Sequence, residues 1–443
     1  MTVTGAGRVV SIRGVCFPRH AMRPPTPRLG ISADMICPSG PDAAASPIPM
    51  THRTALSMNA EVRRAAARVL CVGFESNGVD RSLQRLIDLG VGGVVLFARN
   101  VGAPRETAAL LGEIAGLAGR PILRMVDQEG GRVARLRDGF TVPPPMRQVG
   151  ALGDPEAART VGRVLGRELA SVGFNMNLAP VLDISTCPDS TVIDDRSLGS
   201  DARRVAELAG PLIEGIESAG VAACGKHFPG HGDTPEDSHL TLPRLTVPRR
   251  VLDERELRPF RAAIAAKVAA IMPGHLVVEA LDDQQPATMS ATVLSGLLRR
   301  EMGFGGLIVS DDMEMKAIVD HDPIERAAVA AVRAGVDLLM IGHRHDRAEA
   351  AFDGLLAGVA SGELRVDRLI EAASRVDALA ARGERATDGG GWRSVVGSDE
   401  HRRAIDAIVA RLPESDHAAS ARPDPTVTWR RDASPAPVTP QRR

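Results

Sequence analysis

The chain has 443 residues, a formal net charge of −1 and 44% hydrophobic residues. That length suits two or three average domains or one large barrel with tails, and the charge balance gives no reason to expect a nucleic-acid or membrane partner. No apolar run approaches the roughly 18 residues of a spanning helix, and the N-terminus lacks the apolar core of a secretory signal.

Five cysteines are scattered with no C-x-x-C pair, which reads as reduced thiols in a cytoplasm. Of the 54 basic residues only Lys226, Lys267 and Lys316 are lysines, so a lysine in this chain stands out. There is no tyrosine and there are two tryptophans, which argues against a broad aromatic platform for stacking sugars or bases.

Residues 1–58 are rich in Pro, Gly, Ala and Ser without apolar periodicity, and are expected to be a disordered extension. Met50 and Met58 offer later starts. Then apolar runs alternate with amphipathic stretches. The runs are VLCVGF (69–74), VGGVVLF (91–97), PILRMVD (121–127), FNMNLAPVLD (174–183), VAACGKHF (221–228), VAAIMPGHL (268–276), GGLIVSDD (305–312) and VDLLMIG (336–342). Near-continuous hydrophobicity predicts strands buried on both faces, as in a parallel sheet.

Each run is followed by a helical pattern, from SLQRLIDLG to RAEAAFDGLLAGVASG. The first four of these patterns end in Gly, and Asp201, Asp253 and Ser290 are expected N-caps. Eight strand–helix units predict a (β/α)8 barrel; a doubly wound sheet is weaker because no G-x-G-x-x-G follows the first strand. The expected layout is an extension over 1–58, a barrel over 59–385, a helical segment over 386–411 and a second disordered tail over 412–443.

In such a barrel chemistry gathers where strands end. The third run ends in Asp127, with Glu129, Arg132 and Arg135 beyond it, and the fourth ends in Asp183, with Asp195 and Arg196 on the loop that continues. The fifth ends in Lys226 and His227 and opens KHFPGHGDTPEDSH, with three histidines and three acids on a loop whose Gly and Pro forbid a helix. The sixth carries His275 near its end, and the seventh ends in Asp311 and Asp312. Taken singly, Asp127 and Asp311 could cap helices, Arg132 and Arg135 could form a solvated face, and His275 could be a satisfied core histidine. Five charged strand ends at one mouth are harder to dismiss. His227 and His231 could contribute to a metal site, but Phe-Pro-Gly between them removes the helical spacing that would pair them.

Retaining glycoside hydrolysis needs one carboxylate to attack the anomeric carbon and one acid to protonate the leaving oxygen. Asp311, on a rigid strand end, suits the nucleophile. His239, with Asp237 to orient it, suits the acid/base on a loop able to move. Asp127, Arg135, Arg196, Lys226 and His227 would hold sugar hydroxyls and an N-acyl group.

KHFPGHGDTPEDSH, LIVSDDMEM, DQEGGRVARL and VIDDRSLGS together resemble the glycoside hydrolase family 3 β-N-acetylhexosaminidases, over roughly residues 60–385. The likeness is greatest to the cytoplasmic peptidoglycan-recycling β-N-acetylglucosaminidases. The resemblance implies Asp311 as nucleophile, His239 as acid/base, Asp237 as its partner, and Asp127, Arg135, Arg196, Lys226 and His227 as substrate-binding positions. It implies release of N-acetylglucosamine from anhydro-N-acetylmuramic acid, with or without peptide, by an enzyme using no metal or other cofactor. The expected protein is a monomer acting on a small carbohydrate, with no nucleic-acid or membrane partner. Glu314 departs from the family pattern, and could either perturb the site or point outward into a helix. Some members carry a second, C-terminal α/β domain; too few residues expected to be ordered follow the barrel here for one, so the single-domain type is expected. A glycoside phosphorylase is the main alternative, ahead of a metal-dependent barrel hydrolase or a silent sugar-binding protein.

Overall fold

The computed structural model describes residues 52–187, 190–234, 238, 240–384, 391–413 and 424. The tails expected to be disordered therefore fall largely outside the described residues, as do Asp237 and His239. Helix α1, His52–Arg68, begins ahead of the boundary expected at 58.

Eight parallel strands close into a barrel. They are β1 (Leu70–Val72), β2 (Gly93–Leu96), β3 (Leu123–Val126), β4 (Met176–Asn177), β5 (Ala222–Phe228), β6 (Ala270–Pro273), β7 (Leu307–Asp312) and β8 (Leu338–Ile341). Each lies within one of the predicted runs. Pairing of Leu70–Val72 with Leu339–Ile341 closes the ring, which excludes the open doubly wound sheet.

Helices wrap the strands because their caps start and stop them there. After β1, α2 (Arg81–Leu89) opens where the Asp80 side chain accepts from the amides of Ser82 and Leu83, and it buries Leu83, Leu86 and Ile87. Helix α3 (Pro104–Ala118) follows β2, and α4 (Pro155–Val172) follows β3 with Asp154 as N-cap. Helix α5 (Ala202–Glu217) has Asp201 as N-cap, accepting from Arg204, as expected. Helix α6 (Leu257–Ala265) follows β5, a wider π-type run (Thr292–Glu301) follows β6, and α7 (Ile324–Ala334) follows β7. Helices α8 (His345–Ser361), α9 (Val366–Glu384) and α10 (Asp399–Val409) come after β8.

Ser290 accepts from the Val293 amide and does cap its helix. Asp253 does not. The helical run begins at Arg249, after Pro248, so Asp253 lies a turn inside it and pairs with Arg249 at 2.8 Å. Its i,i+4 partner was a better guide than its residue type.

The strands sort their side chains by parity. Cys71, Val95, Leu123, Met125, Cys224, Val309, Leu338 and Met340 share one cluster, inside the barrel. Leu70, Val72, Val94, Leu96, Ile308, Leu339 and Ile341 belong to another, against the helices. Alternation with a period of two is what a pleated strand requires.

Beneath the barrel, Asp337 precedes β8 and is fully buried. It accepts from Arg299, from Arg368 at 2.8 Å, from Arg375 at 3.2 Å and from the Ile308 amide at 3.0 Å. One carboxylate thus ties β7 and β8 to α9. Replacing Asp337 by Ala should destabilise the fold by about 1–3 kcal/mol, because it removes the shared counter-charge of three half-buried guanidinium groups and the acceptor of the Ile308 amide. Urea unfolding measures this, and a loss below about 1 kcal/mol would contradict a clamp role.

Candidate active site

The inward parity of three strands runs on to the mouth. Leu123 and Met125 lead to Asp127, Ala222 and Cys224 to Lys226, and Leu307 and Val309 to Asp311. Asp127, Lys226 and Asp311 do line one cavity there, with Arg196, His227 and His343. Neither Asp127 nor Asp311 is spent on a helix cap: Asp127 forms ion pairs, and Asp311 Oδ1 accepts from the Asp312 amide at 2.8 Å.

A charged network forms one wall. Lys226 Nζ lies 2.7 Å from Asp127 Oδ1 and 2.7 Å from Glu129 Oε1. Arg196 grips Glu129 with Nε at 2.9 Å and Nη2 at 2.8 Å, a bidentate pair. Arg135 Nη2 reaches Asp127 Oδ2 at 3.3 Å, and its Nη1 pairs with Asp424. Arg132 is not a solvated face residue; it pairs with Asp195 at 2.7 Å. Burial pushes Glu129 up, but the charges of Arg196 and Lys226 outweigh it and hold the carboxyl well below its usual range. Burial likewise opposes Asp127, and Lys226 and Arg135 pull it down. Lys226 is raised in turn: burial lowers it, and Asp127 and Glu129 more than compensate. The network is therefore ionised throughout, with donor positions fixed before any ligand arrives.

The KHFPGHG turn is held by Asp183, at the end of the fourth run. Its Oδ2 lies 2.6 Å from His227 Nδ1, and its oxygens accept from the amides of His227 and His231. This engagement of Nδ1 leaves His227 Nε2 for a ligand. His231 is a loop brace rather than half of a metal pair, with Nδ1 2.6 Å from Thr234 Oγ1 and Nε2 3.0 Å from Ser238 Oγ. Among the described residues no cluster of three His, Cys, Asp or Glu is placed to hold a metal ion. His275 is a satisfied core histidine, bonded to Thr288 Oγ1 at 2.8 Å and to the Asp312 carbonyl at 3.0 Å.

The structure brings Asp127, Arg135, Arg196, Lys226, His227 and Asp311 to one mouth. Asp237 and His239 lie outside the described residues, and Ser238 between them contacts His231. Sequence reasoning gave no site role to Glu129 or Asp183, although both stood at strand ends. It passed over His343 altogether, though His343 follows β8 by the same rule. Glu314 does not point outward. It is buried, and its Oε2 accepts from the amides of His343 at 2.6 Å and Arg344 at 3.1 Å.

The chain's kinship can now be set beside this geometry. The pattern of the glycosyl hydrolase family 3 N-terminal domain matches residues 66–379. The chain belongs to glycosyl hydrolase family 3. It is 42% identical over 271 residues to a β-hexosaminidase of Thiobacillus denitrificans, covering 59% of this chain and 74% of that one. A family 3 β-N-acetylglucosaminidase from Paenibacillus superposes with a TM-score of 0.75 at 39% identity, over 78% of this chain and 68% of that one. The NagZ protein of Neisseria gonorrhoeae, solved with N-trifluoroacetyl-D-glucosamine, superposes with a TM-score of 0.65 at 30% identity, over 77% of this chain and 97% of that one. These relatives place the chain among the β-hexosaminidases of family 3. No helix among the described residues is long and apolar enough to cross a membrane.

One buried acid braces the loop from below. Gly230 has φ of 132°, and a Cβ there would fall 2.9 Å from Glu256 Oε2. Glu256 accepts from Arg255, which also holds Asp233. Burial pushes the Glu256 carboxyl up to about 7, against the pull of Arg255. The folded protein then keeps a proton that the unfolded chain releases between pH 4.5 and 7, so stability falls as pH rises through that window. Glu256→Gln cannot ionise. It should be more stable than the parent by about 1 kcal/mol or more at pH 8 and similar to it near pH 4. Denaturant unfolding at the two pH values checks this, and an equal difference at both would contradict it.

Proposed function

We propose that the chain is a retaining exo-β-N-acetylglucosaminidase of the cytoplasm. It would release terminal N-acetylglucosamine from wall-derived muropeptides, in which that sugar is linked to anhydro-N-acetylmuramic acid with or without peptide. The observation that supports this most is the placement of Asp311 in one cavity with Asp127, Arg196, Lys226 and His227. Catalysis is assigned to the barrel over residues 59–385, with 386–411 as an appended helical segment. The names of the relatives support the choice of sugar.

In this reading an Asp311 oxygen attacks the anomeric carbon while His239 gives its proton to the departing glycosidic oxygen. Asp237 orients the imidazole and favours its protonated form. In the second step His239 takes a proton from water, the water oxygen bonds to the anomeric carbon, and Asp311 leaves as a carboxylate. The charged wall around Lys226 and Arg196 holds ring hydroxyls, and His227 adds a ring nitrogen, Nε2, for a further hydrogen bond. The reaction uses no metal, and one chain suffices.

Asp311→Ala should abolish turnover of a chromogenic N-acetylglucosaminide while thermal unfolding stays cooperative. Glucoside and xyloside analogues should be poor substrates for the parent. His239→Ala should lower the rate by about 10²–10⁴-fold for poor leaving groups and much less for good ones. Equal loss on every substrate would remove His239 from the acid/base role. Sugar 1-phosphate formed in phosphate buffer would replace hydrolysis by phosphorolysis, and loss of activity with a chelator would require a metal.

A further inference from the structure

The loop after β8 brings a histidine to the nucleophile strand. His343 lines the same cavity as Asp311, and its Nε2 lies 3.2 Å from Asp312 Oδ2. On its other side Nδ1 lies 3.1 Å from Arg99 Nη2. A guanidinium only donates, so this contact makes Nδ1 an acceptor and places the ring hydrogen on Nε2, facing Asp312. Arg99 is itself fixed, by the carbonyls of Phe74 at 2.7 Å and Gly342 at 2.8 Å, and its guanidinium lies 4.5 Å from the centre of the Phe97 ring.

The rest of Asp312 is equally constrained. Its Oδ1 accepts from the amides of Glu314 at 3.0 Å and Gly342 at 3.2 Å. Residue 342 must lack a side chain, because a Cβ there would fall 2.5 Å from Asp312 Oδ2. Glu314 closes the arrangement from the other direction by accepting the His343 and Arg344 amides. Burial would push Asp312 up, but the hydrogen bond from His343, with the two amides, holds it below the usual carboxylate range. The Asp312 amide in turn donates to Asp311 Oδ1.

We infer that His343 is a positioning residue: by donating Nε2–H to Asp312 it fixes the 311–312 peptide, and through that amide the orientation and charge of Asp311. The inference rests on reading Asp311 as the nucleophile. Two adjacent carboxylates at a barrel mouth repel each other, and a donor aimed at the second relieves the first. Without that donor Asp312 Oδ2 loses its partner while Oδ1 stays on its two amides, and its charge bears more strongly on Asp311. Asp311 then ionises less readily, and the acid limb of the pH profile moves to higher pH. The other charged groups around the ring are Glu75, 3.9 Å from Nδ1 and itself paired with Arg99 at 3.4 Å, and, across the cavity, Lys226. Arg347 reaches this cluster through Glu314 at 3.4 Å.

The test compares His343→Leu with His343→Gln in the full chain. Leu fills the volume and cannot donate; the Gln Nε2 can stand where the imidazole Nε2 stood. Turnover by the parent and its loss in Asp311→Ala are established first, so failure of the underlying reading shows before any His343 variant is made. Leu should lower kcat about 10–100-fold, the usual scale for a hydrogen bond to a charged group, with KM changed less than about threefold. Its acid limb should move to higher pH, and Gln should restore most of kcat and the parent limb. Equal kcat for Leu and Gln, or an effect confined to KM, overturns the inference while leaving the nucleophile assignment intact. A Leu variant that fails to fold is replaced by His343→Met, judged against Gln in the same way.

Discussion

Successive side chains on a strand face opposite sides, so closing a sheet into a barrel sorts every strand into an inner and an outer set. Here the inner set is apolar for most of the barrel's height, with Cys71, Met125, Cys224, Val309 and Met340 filling it. The next inward position on β3, β5 and β7 is Asp127, Lys226 or Asp311. The same pleat that packs the core therefore delivers charged groups to the mouth. A one-residue slip in any of these strands would turn its charged residue into the helical layer and an apolar one into the cavity. Fold and site are set by one register.

The charged wall is better understood as positioning than as stabilisation. Taking Glu129, Arg196 and Lys226 out of water is costly, and well-made pairs in a buried site do little more than offset that cost. What such a network provides is fixed direction. Lys226 is held by two carboxylates and Arg196 grips Glu129 with two parallel bonds, so neither needs to reorganise when a ligand arrives. The Asp337 cluster at the opposite end of the barrel works on the framework instead, tying β7 and β8 to α9 away from the cavity.

The strands were legible because both their faces are buried, which leaves unbroken runs such as GVVL and LLMI. Helix starts were legible where a cap stood alone, as at Asp201, and misread at Asp253, where a partner one turn back mattered more. Charged strand ends pointed to the mouth, and with them most of the candidate residues. Their partners were not legible. Glu129 and Arg196 are 67 positions apart, and Arg135 and Asp424 are 289 apart, distances over which local pattern carries no information. Glu314 stood out as an unusual residue, yet its task of holding the His343 and Arg344 amides exists only because parallel pairing sets the ends of β7 and β8 side by side.

The two halves of the proposed chemistry are held by different forces. The sugar-facing half stands on strand ends and buried ion pairs, which change little unless the barrel itself deforms. The stretch bearing the proposed acid/base is anchored at its described members by contacts of another kind. His231 bonds to the hydroxyls of Thr234 and Ser238, and a half-exposed ion pair joins Arg255 to Asp233. A hydroxyl bond or a half-exposed pair of this kind contributes about 1 kcal/mol, small enough to be exchanged during a turnover. A retaining glycosidase asks for this division. Its nucleophile must hold one position through both displacements, whereas its acid must first meet a leaving oxygen and then a water molecule. In the proposed mechanism Asp311, on a strand end, meets the first of these demands within the barrel.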